Sequence, residues 1–110
     1  YHEIDACTGA AMILRREAIE EIGLLDEQFF MYGEDLDWCF RFKENEWRIV
    51  FFPHLVVMHD KHSSGLKKKH GKSQDAFYEA MKLFYKKHDL GPSWMENLVL
   101  VGIHFLSKIR

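Results

Sequence analysis

Apolar and polar positions alternate in blocks of changing period along this chain. Tyr1 to Cys7 and Ala10 to Leu14 read as extended segments, interrupted by Thr8-Gly9. Ala10-Ala11-Met12-Ile13-Leu14 is short enough for a buried strand, although a helix gives the same pattern over so few residues. From Arg15 to Ile22 the period becomes helical: Ala18, Ile19 and Ile22 share one face, and Gly23 is the natural stop. Leu24 to Phe30 forms an approach loop. A second helix is expected from Glu34 to about Glu44, with Leu36, Cys39, Phe40 and the stem of Lys43 turned inward. Trp47 to Phe52, rich in β-branched and aromatic residues, reads as a strand that Pro53 breaks, and Leu55 to Met58 as a second strand ending on His59. Asp60 to Ser73 is polar loop chemistry. Gln74 to His88 then carries Phe77, Ala80, Met81, Phe84 and His88 at helical spacing. Gly91-Pro92-Ser93 separates it from a last helix, Trp94 to Arg110, apolar nearly all round at its centre. The pattern defines an α/β chain, α+β as an isolated fragment: a short mixed sheet with helices, closing on two C-terminal helices. The expected division is 1–88 and 89–110.

The chemistry concentrates where the helical pattern of Glu34 begins. Glu34, Asp35 and Asp37 follow an aromatic run, Phe29-Phe30-Met31-Tyr32, and a glycine, Gly33. Acids suit the first turn of a helix, where unpaired N–H groups and the positive end of the dipole face them. Asp37 and Arg41 are spaced as an i,i+4 pair, expected at the helix surface. Helix capping therefore accounts for the acids without any further function. The aromatic company does something more, because large rings partly desolvate a neighbouring carboxylate and raise its proton affinity, which suits a general base. Gly33 is the point where the backbone can bend to turn the acids toward a cleft.

Totals narrow the classes. With 110 residues the chain makes one domain at most, and 47% hydrophobic against 29% charged residues describes a folded chain rather than a disordered one. A net charge of −2 gives no basic field for nucleic acid. Cys7 and Cys39 form no C-x-x-C motif and no dense framework, which predicts free, buried thiols and a reducing compartment. The sequence opens on Tyr1 with no signal peptide and reads as a fragment of something longer, with no run long enough to span a membrane.

Gly23-Leu24-Leu25-Asp26-Glu27-Gln28-Phe29-Phe30 leading into Glu34-Asp35-Leu36-Asp37-Trp38-Cys39-Phe40-Arg41 resembles a signature of family 2 glycosyltransferases. The likeness is nearest to bacterial rhamnosyltransferase-like and polysaccharide-assembly enzymes, and covers roughly residues 5 to 65. Arg48 to His59 is similar to a further run of that family, in which a proline precedes a terminal histidine. The resemblance implies the C-terminal half of a GT-A fold, and transfer of a sugar, with inversion, from a nucleotide-diphosphate donor to a glycan or lipid-linked acceptor. It implies Asp35 as the base that deprotonates the acceptor hydroxyl, with Glu34 orienting it. His59 is implied as a ligand of the divalent ion, Mn²⁺ or Mg²⁺, that bridges the donor diphosphate. Thr8 and Gly9 correspond to a small-residue run bordering the acceptor pocket. Tyr32, Asp37 and Trp38 are counted as acceptor-side candidates with them, while a surface ion pair for Asp37 and a core position for Trp38 stand as alternatives.

His62, Ser63, Ser64 and Lys67, with the lysines that follow, can hold donor phosphates in a closing loop. A solvated charged loop, or attraction to anionic lipid head groups, fits the same residues. The family's nucleotide-binding half carries a D-x-D metal motif, and none stands here in that context. The chain is accordingly expected to be the acceptor-side part, inactive alone, inclined to self-associate through uncovered apolar surface, and placed in the cytoplasm or at the cytoplasmic membrane face. Two other classes remain: a non-catalytic binding module whose acids only cap a helix, and a carboxylate-pair hydrolase, for which the sequence offers no second acid at a suitable distance.

Overall fold

A computed structural model describes residues 1–59 and 70–109, the side chains of 70–73 apart. Among them are two short strands and four helices: β1 (His2–Glu3), α1 (Arg16–Ile22), α2 (Glu34–Glu44), β2 (Val50–Phe51), α3 (His70–His88) and α4 (Ser93–Ile109). The chain divides into two compact units, Tyr1–Asp26 with Glu34–Leu66, and Glu27–Gly33 with Lys67–Arg110.

In the first unit, β1 and β2 pair antiparallel, His2 opposite Phe51 and Glu3 opposite Val50. Ile4 N–H adds a bond to Ile49 O at 2.9 Å. The described sheet is thus antiparallel and much shorter than the sequence pattern suggests. Ala10 to Leu14 and Leu55 to Met58 are not strands. Leu55 to Met58 has β-branched residues that favour a pleated ladder, but a ladder needs a neighbour to exchange hydrogen bonds with, and the alanines of Ala10 to Leu14 favour one less. Val56 and Met58 stand 90% and 96% exposed.

α1 packs on α2 around Ala18, Trp38 and Phe42, with Met12, Leu14, Ile19, Ile22 and Trp47 half-buried against them. Gly23 closes α1 as expected: its φ is +85°, and its N–H bonds back to Ile19 O at 2.8 Å. α2 has the expected bounds but a different inward stripe. Asp37, Trp38, Cys39 and Phe42 are buried, whereas Leu36 is exposed. α1 lies against the Trp38–Phe42 side, so the larger rings take the core and Leu36 falls on the other face.

α2 ends in a Schellman turn. Trp47 N–H reaches Phe42 O at 3.0 Å and Glu46 N–H reaches Lys43 O at 3.1 Å. Glu46 occupies the left-handed position usually given to glycine, with φ +63°.

In the second unit α3 and α4 pack together. α3 begins at His70, ahead of the expected Gln74, and buries Tyr78 and Ala80, leaving Phe77 half exposed. Phe29 is buried here, with Lys87 Nζ over its ring, and Gly33 turns at φ +88°. A Cβ at Gly33 would come within 3.1 Å of the Phe29 ring, so both the dihedral and the space require glycine.

Candidate active site

α2 starts where the unpaired amides of a first helical turn meet three carboxylates, and the three have different fates. Asp35 holds the N–H of Gly9 on one oxygen and its neighbour Leu36 N–H on the other, both at 2.8 Å. Gly9 to Met12, Leu25, Glu34, Asp35 and Trp38 together line a cleft of about 420 Å³. Glu34 contributes a buried Oε2 with no hydrogen-bond partner among the described residues. A buried oxygen left without a donor is costly.

Asp37 points elsewhere. Its side chain is 0% exposed and accepts a 2.9 Å ion-paired bond from Arg41 Nε, rather than lying at the helix surface as expected. Arg41 spends its other nitrogens on Ile22 O at 3.0 Å and Leu24 O at 2.8 Å. Trp38 Nε1 takes the intervening carbonyl, Gly23 O, at 2.9 Å. One face of α2 thereby ties down the carbonyls at the end of α1, which the helix itself leaves unpaired. This clamp is what the sequence reading missed. Its only trace there is the spacing of Asp37 and Arg41.

Cys7 and Cys39 are free, with Cys39 Sγ 3.8 Å from Cys7 O. Burial, the neighbouring Cys39 thiol and the charge of Asp35 push the Cys7 thiol up to about 11. Nearby, Lys43 pairs with exposed Asp5, which lowers the carboxyl and raises the amine.

Of the residues singled out from the sequence, Gly9, Glu34, Asp35 and Trp38 meet on the one cleft. Thr8 adjoins it, its Oγ1 accepting Ala10 N–H at 3.3 Å. Trp38 is also a core residue, tilted against Phe42. Tyr32 belongs to the second unit, its ring edge-on to Phe77. His59 is exposed and lines neither this cleft nor a larger apolar one of about 860 Å³ beside β2. His62, Ser63, Ser64 and Lys67 lie outside the described residues. No group of three or more His, Cys, Asp or Glu side chains gathers for a cation among the described residues. Those residues do not by themselves make up a divalent-ion site.

Against known proteins, the description Glycosyltransferase like family 2 matches residues 2–73. The chain belongs to the glycosyltransferase family 2 group. Over 59 residues it is 39% identical to N-acetylglucosaminyl-diphospho-decaprenol L-rhamnosyltransferase of Mycobacterium tuberculosis, covering 53% of this chain and 19% of that protein. Over 38 residues it is 40% identical to the Low-salt glycan biosynthesis hexosyltransferase Agl10 of Haloferax volcanii, covering 34% of this chain and 12% of that protein. The chain therefore spans about a fifth or less of the length of these curated relatives. No solved structure matches it.

Proposed function

We propose that this chain is the acceptor-side part of an inverting sugar transferase, in which Asp35 is the base. The supporting observation is the Asp35 carboxylate fixed on the wall of a cleft by an amide from a distant loop. A carboxylate offers roughly four acceptor positions, so two amide bonds leave room for an acceptor O–H. In this reading the acceptor hydroxyl sits against Asp35 and passes its proton to a carboxylate oxygen. The freed oxygen forms the new bond to the anomeric carbon as the bond to the donor diphosphate breaks on the opposite side, which inverts that centre. Glu34, on the wall of the same cleft, accepts from a second hydroxyl of the acceptor and fixes its orientation. The two relatives named above act in rhamnosyl and hexosyl transfer, the first on a decaprenol-linked substrate, and this favours a lipid-linked glycan as acceptor.

The apolar cleft beside β2 and the exposed Leu55 to Met58 segment support a further part of the reading. The first unit would complete a GT-A domain by packing on a nucleotide-binding half, without which it is inactive. His59 is kept as one imidazole ligand for Mn²⁺ or Mg²⁺.

Asp35→Asn tests the base in the active transferase. The amide keeps its carbonyl for Gly9 N–H but cannot take a proton. Transfer should fall about 10²–10⁴-fold while donor binding, followed by calorimetry, is unchanged. Full activity of that variant would return Asp35 to the rival role, a helix-capping acid in a non-catalytic module, which draws on the same two amide bonds.

A further inference from the structure

On α4, Trp94, Leu98, Val101, Phe105 and Ile109 fall within about 80° of arc, given 3.6 residues per turn. All five are between 63% and 67% exposed. The opposite face of the same helix carries Ile103, which is buried, so the stripe is a second apolar surface and not the packing face. Exposed apolar side chains scattered singly need no explanation, but five in one line along a helix do.

Lys108 is the one lysine or arginine on α4, and at 3.6 residues per turn it falls beside the stripe. Glu96, the single carboxylate of α4, is half-buried, while Lys108 and His104 are exposed. No described helix is long and apolar enough to cross a membrane. A helix that packs by one face and leaves an apolar stripe outward, with an aromatic residue near its start and a lysine near its end, can lay that stripe into a lipid interface.

We propose that α4 is a docking surface for a lipid bilayer, its stripe entering the boundary between head groups and acyl chains and Lys108 facing anionic head groups. The choice of a lipid surface over a second copy of the chain rests on the reading that the acceptor is lipid-linked. Such an acceptor is held in a bilayer, and the enzyme must work at that surface. The stripe supplies apolar area, and Lys108 supplies attraction that salt would screen.

The test uses this chain and vesicles of phosphatidylcholine and phosphatidylglycerol, without sugar nucleotide. Trp94 is the most exposed of the three tryptophans, since Trp38 is buried and Trp47 half-buried. Vesicles should shift its emission to the blue, and Trp94→Phe should remove the shift while the chain still cosediments. Leu98→Glu with Phe105→Glu should lower vesicle partition at least tenfold, and Val101→Glu alone should lower it if the double variant misfolds by circular dichroism. Partition unchanged by these substitutions would overturn the assignment to α4. Absence of partition, with self-association that Leu98→Glu abolishes, would make the occupant a second copy and overturn it too. Vesicle binding needs no catalysis, so an inactive Asp35 reading would leave this result standing, and the reverse also holds.

Discussion

Gly9 and Asp35 are joined across 26 positions of sequence by one 2.8 Å bond, the Gly9 N–H donating to the carboxylate. The bond fixes the acid against the loop that forms the other wall of the cleft. A Cβ at Gly9 would meet Asp35 only at ordinary contact distances, 3.6 and 3.7 Å. Gly9→Ala should therefore keep transfer within about threefold. Gly9→Pro removes the donor, and a hydrogen bond to a charged group is worth about 1.5–3 kcal/mol, or roughly ten- to a hundredfold in rate if positioning is its role. Steady-state kinetics should place that loss in kcat rather than in KM for the donor.

Cys7 reports on the same acid. Its thiol is pushed up to about 11, first by burial, then by Cys39, then by Asp35. The native state thus holds the thiol proton more tightly than an unfolded chain, for which 9.0 is the reference. The associated stabilisation is fully present below about pH 9 and is lost as pH rises toward 11. Alkylation of Cys7 by iodoacetamide, read by peptide mass spectrometry, should be slow at pH 8 and rise about tenfold per pH unit up to that point, because only the thiolate reacts. Asp35→Asn removes one of the causes and should speed the reaction at pH 8. An unchanged rate would mean the two groups do not feel each other.

These pairings show which features sequence could reveal. The start of α2 at Glu34 and its end near Glu44 were legible because helix ends carry local signals, above all the acids of the first turn. Gly23 and Gly33 were legible for the same reason, each at a positive φ that glycine accepts readily. The face of α2 was not legible, since whether Leu36 or Trp38 turns inward depends on where α1 lies. Strand pairing is non-local as well, and Leu55 to Met58 has strand composition without a described ladder. In the cleft, Asp35 and Glu34 announced themselves by spacing and resemblance. The amide that holds Asp35 comes from a loop no periodicity connects to it.

The Asp37–Arg41 pair predicts a large cost for a small change. Asp37 is fully buried, and Arg41 also carries two carbonyls of the α1 end. Asp37→Ala leaves a largely buried guanidinium without its counter-charge, for which about 3–5 kcal/mol is the usual penalty. Urea unfolding should show that loss in the midpoint, while Asp35→Asn, which keeps an acceptor for Gly9 N–H but gives up the one for Leu36 N–H, shifts it by less, about 1–2 kcal/mol. Equal effects of the two would mean that Asp35 anchors the helix as firmly as Asp37 does.

The turn that ends α2 offers a gain instead. Glu46 sits at φ +63°, where an L side chain crowds its own backbone at a cost of roughly 1–2 kcal/mol. The fixed bonds around it, Trp47 N–H to Phe42 O and Glu46 N–H to Lys43 O, involve only backbone, so a residue without Cβ keeps both. Trp47 also packs against the Ala18, Trp38 and Phe42 core and holds the turn in place. Glu46→Gly relieves the crowding, and the extra freedom glycine has in the unfolded chain offsets part of that gain. The net expectation is about 0.5–1 kcal/mol of added stability, seen as a higher urea midpoint with an unchanged slope. Glu46→Ala keeps the Cβ and should give none of it, so a gain from alanine would place the strain elsewhere.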